Sequence, residues 1–381
     1  MTKKIRPAGT SAPEAGRRKF LKTAGLAGAA AAATIAMPQV SRAQTITWKY
    51  QSTWPTKDIF HEFAVDYAKK VNEMSGGRFK FDVLPAGAVV PAFQLQDAVH
   101  SGVLEAGHGV TVYWYGKNKA ASLFGTPPSF GWDAHSMLAW HYYGGGEALY
   151  KELVNDILKL NLVGLLYYQM MNQPLGWFKK ELKSADEFKG MKYRTVGLSA
   201  DLFKELGASV TILPGGEIVP ALDRGLIDAA EFNNPSSDLL LGFPDVSKYF
   251  MVRSHHQQQE CFELSFNKAK YDALSAELKA ILRYAAFAAT ADQFAWGAHG
   301  RYPKDLEEIR KRGVNVIKTS DAVLEAQLAA WKKVIAANKD NAFFMKVLNS
   351  QMEWAKRVTP YFHTNNLTTA QLETAYKAFF G

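Results

Sequence analysis

The chain has 381 residues, 48% hydrophobic and 21% charged, a composition that can bury a sizeable core and excludes a disordered or fibrous protein. Its formal charge of +9 would invite a nucleic-acid or anionic-membrane partner. Residues 1–43 hold eight basic residues and one acidic one, however, which leaves 37 basic against 35 acidic beyond them and no basic stripe to bind nucleic acid.

Residues 1–43 read as an address. Arg17-Arg18-Lys19-Phe20-Leu21-Lys22 precedes an Ala/Gly run from Ala24 to Ala36 and a small-residue exit at Ser41-Arg42-Ala43. The paired arginines resemble a twin-arginine signal, with Gly16 where a Ser or Thr is usual. The run falls short of the roughly 20 apolar residues that span a bilayer, so the expectation is a chain exported to the periplasm and starting near Gln44. The lone Cys261 lies among Phe262, Leu264 and Phe266, which forbids an intramolecular disulfide and predicts a buried apolar residue.

Ile46, Trp48 and Tyr50 alternate with polar neighbours and predict a strand. Asp58 caps a predicted helix whose apolar positions Ile59, Phe60, Phe63, Ala64, Tyr67 and Val71 recur three and four apart up to Gly76-Gly77. Strands at Phe79–Val83 and Glu105–Val110 flank a helix at Phe93–His100. After a helical stretch around Trp140–Leu160, a second unit of this kind is expected. Its strands are Val163–Tyr168, Leu175–Phe178, Met191–Arg194, Val210–Leu213 and Asp228–Phe232, with helices at Ser199–Leu206 and Gly215–Arg224. Such alternation implies two α/β lobes with largely parallel sheet. From Leu274 the pattern is mostly helical, with an interruption near Gly297, Gly300 and Pro303, one strand at Val314–Ile317, and helices at Asp321–Ala337, Asn341–Val358 and Thr368–Phe380. The expected division is 1–43 signal, 44–160 mainly first lobe, 161–270 mainly second lobe, and 271–381 helices that return across both.

Catalytic signatures are absent: no phosphate loop, dinucleotide fingerprint, zinc-protease helix or nucleophile elbow occurs. Gly144-Gly145-Gly146 reads as helix termination, and His255-His256, beside three glutamines, as a polar loop or hinge. Tyr113-Trp114-Tyr115 suits a core or a small-molecule cleft.

One constellation stands out. Gln173-Pro174-Leu175-Gly176-Trp177-Phe178 is followed by Phe188-Lys189-Gly190-Met191-Lys192-Tyr193-Arg194, and then by Gly216-Glu217, Ala221-Leu222, Gly225 and Ile227-Asp228-Ala229-Ala230-Glu231. With Trp54-Pro55 and Lys117, these residues resemble the DctP family, the substrate-binding subunits of tripartite ATP-independent periplasmic (TRAP) transporters. The resemblance implies a two-lobe, venus-flytrap binding protein with long connecting helices and a helical C-terminal region, and no catalysis.

Arg194 ends a predicted strand, where open α/β sheets place ligands, and its planar fork can take a carboxylate through two parallel hydrogen bonds. By resemblance it receives the substrate carboxylate. The spacings of 21 residues from Gln173 to Arg194 and 37 from Arg194 to Glu231 match the 2-oxo acid-binding branch. In that branch the Gln oxygen, the Glu carboxylate and the next main-chain carbonyl, here Phe232, hold a cation that also touches the ligand. Oxygen donors suit Na⁺ or Ca²⁺, and no organic cofactor is implied. Phe232 stands where Trp is frequent, which alters pocket size; Tyr113, Tyr115 and Asn233 are further candidate ligand contacts. The ligand expected is a 2-oxo or 2-hydroxy monocarboxylate resembling pyruvate or lactate, delivered to TRAP membrane permease subunits. A dicarboxylate, sugar acid or polyol is the alternative ligand, and a twin-arginine-exported periplasmic enzyme the alternative of another class. The helix Thr368–Phe380, with Leu372, Tyr376, Phe379 and Phe380, fits either a homodimer or packing on its own lobe.

Overall fold

A computed structural model describes residues 45–381; the expected signal at 1–43 lies outside them. Eleven strands follow in order: β1 (Ile46–Ser52), β2 (Phe79–Leu84), β3 (Ala106–Val110), β4 (Leu162–Met170), β5 (Gly176–Phe178), β6 (Lys192–Arg194), β7 (Ser209–Thr211), β8 (Ala229–Ala230), β9 (Tyr249–Val252), β10 (Glu260–Asn267) and β11 (Asn315–Lys318). They form a five-stranded sheet, β2-β1-β3-β10-β4, and a six-stranded sheet, β11-β9-β5-β8-β6-β7.

The local rules hold well at the start of the chain. The Asp58 carboxylate accepts from Phe60 N at 3.0 Å and caps the helix Ile59–Met74, whose buried stripe is Ile59, Phe60, Phe63, Ala64, Tyr67 and Val71. Gly76 and Gly77 follow with φ of 61° and 80°, a left-handed exit that a side chain resists.

The expectation of largely parallel sheets is corrected. Strand β10 runs antiparallel to both β3 and β4, and β5 runs antiparallel to β8 and β9, so each sheet is mixed. Strand β4, expected to open the second unit, is an edge of the first sheet, and β10 lies beside it. The chain therefore passes directly from sheet to sheet after β4 and again after β9. These two crossing segments are bonded together: Asn172 Nδ2 donates to Ser254 O at 2.7 Å, and Gln173 N donates to Gln257 O at 3.0 Å. The helix Asp321–Ala337 grips the second crossing, with His255 N donating to Gln327 Oε1 and Trp331 Nε1 donating to His255 O, both at 2.7 Å.

The late helices connect without the expected break. Ala276–Gln293 continues as a π-helical stretch, Phe294–Arg301, into Tyr302–Lys311. Gly297 is required there because a Cβ would lie 2.8 Å from the Phe63 ring, and Pro303 falls in the first turn, where no N–H is missed. The last helix, Thr369–Phe380, buries no residue. No helix among the described residues is long and apolar enough to cross a membrane.

Candidate functional site

The candidate residues converge because each follows the carboxyl end of a strand, the position at which open sheets present ligands. Arg194 is the last residue of β6 and Glu231 follows β8; Trp54 and Tyr113 lie just past β1 and β3 of the other sheet. Arg194 and Glu231 side chains are each 1% exposed and form an ion pair, Nη1 to Oε1, at 2.9 Å. Nη1 also donates to Glu231 O at 3.1 Å, while Nε and Nη2 donate to Leu213 O at 2.9 and 2.6 Å. The free fork expected at Arg194 is thus engaged by four contacts within the chain, because a buried guanidinium without acceptors would be far costlier than one held by carbonyls.

Gln173 lies in the first crossing segment and donates through Nε2 to Glu231 Oε2. That approach depends on Gly176: at φ 129° its Cβ position would fall 2.3 Å from Ala230 O and 2.9 Å from Glu231 Cα. Burial pushes the Glu231 carboxyl above its usual range, against the opposing pull of Arg194. Phe232 faces the guanidinium, 5.7 Å from ring centroid to Cζ, and stacks on Phe243 at 5.9 Å. From the other sheet, Trp54 packs 6.4 Å from Phe232 and 5.9 Å from Tyr113. Asp58 and Ser237 also join the two sides, Oγ to Oδ1 at 2.5 Å.

The chain as a whole has relatives. Residues 50–341 match the profile of DctP, the bacterial extracellular solute-binding protein family 7. The chain belongs to this family. A monocarboxylate 2-oxoacid-binding periplasmic protein of Nostoc is 35% identical over 276 residues, 71% of this chain and 74% of its own length. A TRAP periplasmic solute-binding protein from Colwellia psychrerythraea with bound calcium and pyruvate is 30% identical, with TM-score 0.78 over 88% of this chain and 100% of that one. One from Bordetella bronchiseptica, a mixed-occupancy dimer with calcium and picolinate, is 27% identical, with TM-score 0.82 over 88% and 98%. The fold and family are those of solute-binding receptors.

The donor set of this solute-binding protein fits a hard cation. Gln173 Oε1 is buried and has no hydrogen-bond partner, while Nε2 of the same amide donates to the Glu231 carboxylate. Neutral and anionic oxygens of this kind are what Na⁺ and Ca²⁺ take.

The remaining candidates separate. Tyr113 packs 4.8 Å from Phe93 and 5.9 Å from Trp54, and burial pushes its phenol up. Tyr115 is turned elsewhere: its hydroxyl donates to both oxygens of Asp201 at 2.8 and 2.9 Å, and Lys119 Nζ reaches the same carboxylate at 2.8 Å. Asn233 is 3% exposed, with Nδ2 unpartnered, while Asn234 is the cap of the helix Pro235–Leu241. His256 is wholly buried with Nδ1 2.5 Å from Ser254 Oγ, and the His255 backbone is held by Gln327 and Trp331, so both histidines are tied into the crossing segment.

Sequence reading missed three residues here. Leu213 acts through its carbonyl, which leaves no trace in sequence. Asp238 accepts from Trp177 Nε1 at 2.7 Å and Asn233 N at 3.3 Å, and is pushed up to about 8 by burial. Glu260 carried a usable signal, an acid opening a strand in which Phe262, Leu264 and Phe266 alternate with polar residues.

Proposed function

We propose that this protein captures a small 2-oxo or 2-hydroxy monocarboxylate, resembling pyruvate or lactate, with Arg194 as the anchor of its carboxylate. The observation that carries the reading is the buried trio Gln173, Arg194 and Glu231, which joins one cationic fork to an acid and a partnerless amide oxygen. The Gln173 oxygen, the Glu231 carboxylate and the Phe232 carbonyl would hold Na⁺ or Ca²⁺. Such an ion supplies positive charge that offsets Glu231, so that an anionic ligand meets a site of net positive potential. Tyr113 and Trp54 close the site from the first lobe and exclude water. Asn233 Nδ2 offers one more donor.

The family works with membrane permease subunits, and export to the periplasm through the twin-arginine-type segment at 1–43 completes this assignment. Because β4 and β10 lie in the first sheet, the proposed lobe boundaries fall at the paired crossings around Asn172 and Ser254 rather than at 160 and 270, and the lobes close by bending there. We also propose a homodimer through the last helix, since Tyr376, Phe379 and Phe380 are 64%, 81% and 76% exposed, more apolar surface than an isolated helix keeps in water.

Isothermal titration of the mature protein should show pyruvate or lactate binding at micromolar or lower Kd, weakened by chelation with Na⁺ withdrawn. A thermal-shift panel of monocarboxylates, dicarboxylates, sugar acids and polyols, with and without each cation, checks the ligand class; preference for a dicarboxylate or polyol would overturn it. Light scattering reads the dimer, which Phe379→Asp should dissociate.

A further inference from the structure

Polar side chains bridge the two lobes outside the paired crossings, and two of these contacts differ in kind. In one, the Tyr115 hydroxyl and Lys119 Nζ of the first lobe reach Asp201, on the helix Leu198–Glu205 of the second. Lys119 is 42% exposed, so water and salt weaken that contact. In the other, Ser237 Oγ donates to Asp58 Oδ1 at 2.5 Å, and both residues are wholly buried. That length is typical of a hydroxyl donating to a carboxylate, and no water competes for either group.

Each partner is fixed within its own lobe. Asp58 N donates to Pro55 O at 2.9 Å, which folds Trp54–Asp58 into a tight strap ahead of the helix Ile59–Met74. Ser237 N donates to Asn234 Oδ1 at 3.0 Å, and its neighbour Asp238 holds Trp177 of β5. The strap meets the second lobe along its length: Trp54 packs on Phe232, Pro55 Cγ lies 3.1 Å from where a Cβ on Gly216 would stand, and Asp58 takes Ser237. The Arg194 side chain is 1% exposed, so a solute reaches it only when the lobes part. Lifting Trp54 off Phe232 carries Asp58 away from Ser237, because the turn keeps the strap in one piece. Neither group is then orphaned, since Asp58 keeps Phe60 N and water replaces the lost partner, so the bond can break and re-form.

We infer that the Asp58–Ser237 hydrogen bond is the latch of the closed state, made as the lobes close and broken as they part, and that it slows release of the solute held between them. The inference rests on the reading that the protein captures a solute by lobe closure, and not on the class of that solute. A contact present only in the closed state strengthens binding without touching the ligand, because it raises the closed population. Asp58 and Ser237 are therefore positioning residues: they act by keeping Trp54 down on Phe232.

The test is a double-mutant cycle on the mature protein: Ser237→Ala, Asp58→Asn, which keeps the helix cap through its amide oxygen, and both together. Pyruvate and lactate are the probes, replaced by the strongest binder among dicarboxylates, sugar acids and polyols if neither binds. Stopped-flow tryptophan fluorescence reads association and dissociation, and Tm is measured without ligand. Ser237→Ala should raise the dissociation rate about tenfold, change association by less than about threefold, and leave Tm within about 3 °C. Asp58→Asn, with a weaker neutral acceptor, should raise dissociation about threefold. Adding it to Ser237→Ala should change the rate by less than about twofold, because the bond is already gone. A Ser237→Ala dissociation rate within about twofold of wild type, or single-variant effects that multiply in the double variant, overturns the latch and leaves capture standing. A wild type that binds none of these solutes overturns the capture reading and the latch with it.

Discussion

The two sheets bring different chemistry to the same place. The six-stranded sheet contributes a charged pair, Arg194 with Glu231, held by Leu213 O and Gln173. The five-stranded sheet contributes mostly neutral groups: Trp54, Tyr113, and a histidine that burial keeps uncharged, His108. On the proposed reading, a carboxylate would find its countercharge on one lobe only, and the other lobe would serve as a lid that excludes water. Electrostatic anchoring is strongest when the guanidinium is already fixed before the lid closes, since no reorganisation is then needed on binding.

The severest way to break this asymmetry is Arg194→Ala. It removes the anchor and leaves Glu231 buried without its countercharge, which should cost about 3–5 kcal/mol of stability and abolish carboxylate binding. Arg194→Lys keeps the charge but loses the fork, so thermal melts should recover more than affinity does. Titration calorimetry and melting curves read both; carboxylate binding that survives in the Ala variant would sink the site assignment.

How far this was legible in sequence follows the range of the interaction. The Asp58 cap, the stripe on Ile59–Met74 and the Gly76-Gly77 exit are set by neighbours a few residues apart, and they stand as expected. Arg194 at a strand end was readable for the same reason. The return of β4 and β10 to the first sheet was not: Phe262, Leu264 and Phe266 alternate with Glu263, Ser265 and Asn267 and so mark a strand, but its partners lie about a hundred residues or more away in sequence and nothing local says which sheet it joins. Nor could sequence reveal that Arg194 would be engaged by Leu213 O, because a carbonyl acceptor is independent of residue type.

The first sheet can be loosened by acid. Trp54 Nε1 only donates, so the His108 Nδ1 that it meets at 3.1 Å is unprotonated, and Nε2 faces the Tyr167 hydroxyl at 2.7 Å. Burial holds this imidazole down at about 3, against roughly 6.5 in the unfolded chain. Below that unfolded value the unfolded chain takes a proton that the fold refuses, so stability falls as pH drops from about 6.5 toward 3. At pH 5 the loss is about 2 kcal/mol. Denaturant melts at pH 7 and pH 5 should show it, and His108→Phe should remove this share of the acid slope while lowering stability at both values. A slope unchanged by the substitution would place the acid sensitivity elsewhere.

The smallest expected effect separates two tyrosines from one sequence cluster. Tyr113 packs against Trp54 beside the Arg194 and Glu231 pair and is proposed to meet the ligand, whereas Tyr115 spends its hydroxyl on Asp201. Tyr113→Phe therefore removes a polar group from the site and should weaken ligand binding by about 1 kcal/mol, roughly fivefold. Tyr115→Phe leaves Asp201 still bound by Lys119 Nζ, so affinity should shift by less than about twofold, a half-exposed contact contributing little. Equal losses in both variants would mean that the Asp201 contact governs closure as much as the site itself does, and that the lid is held from its rim rather than from the ligand.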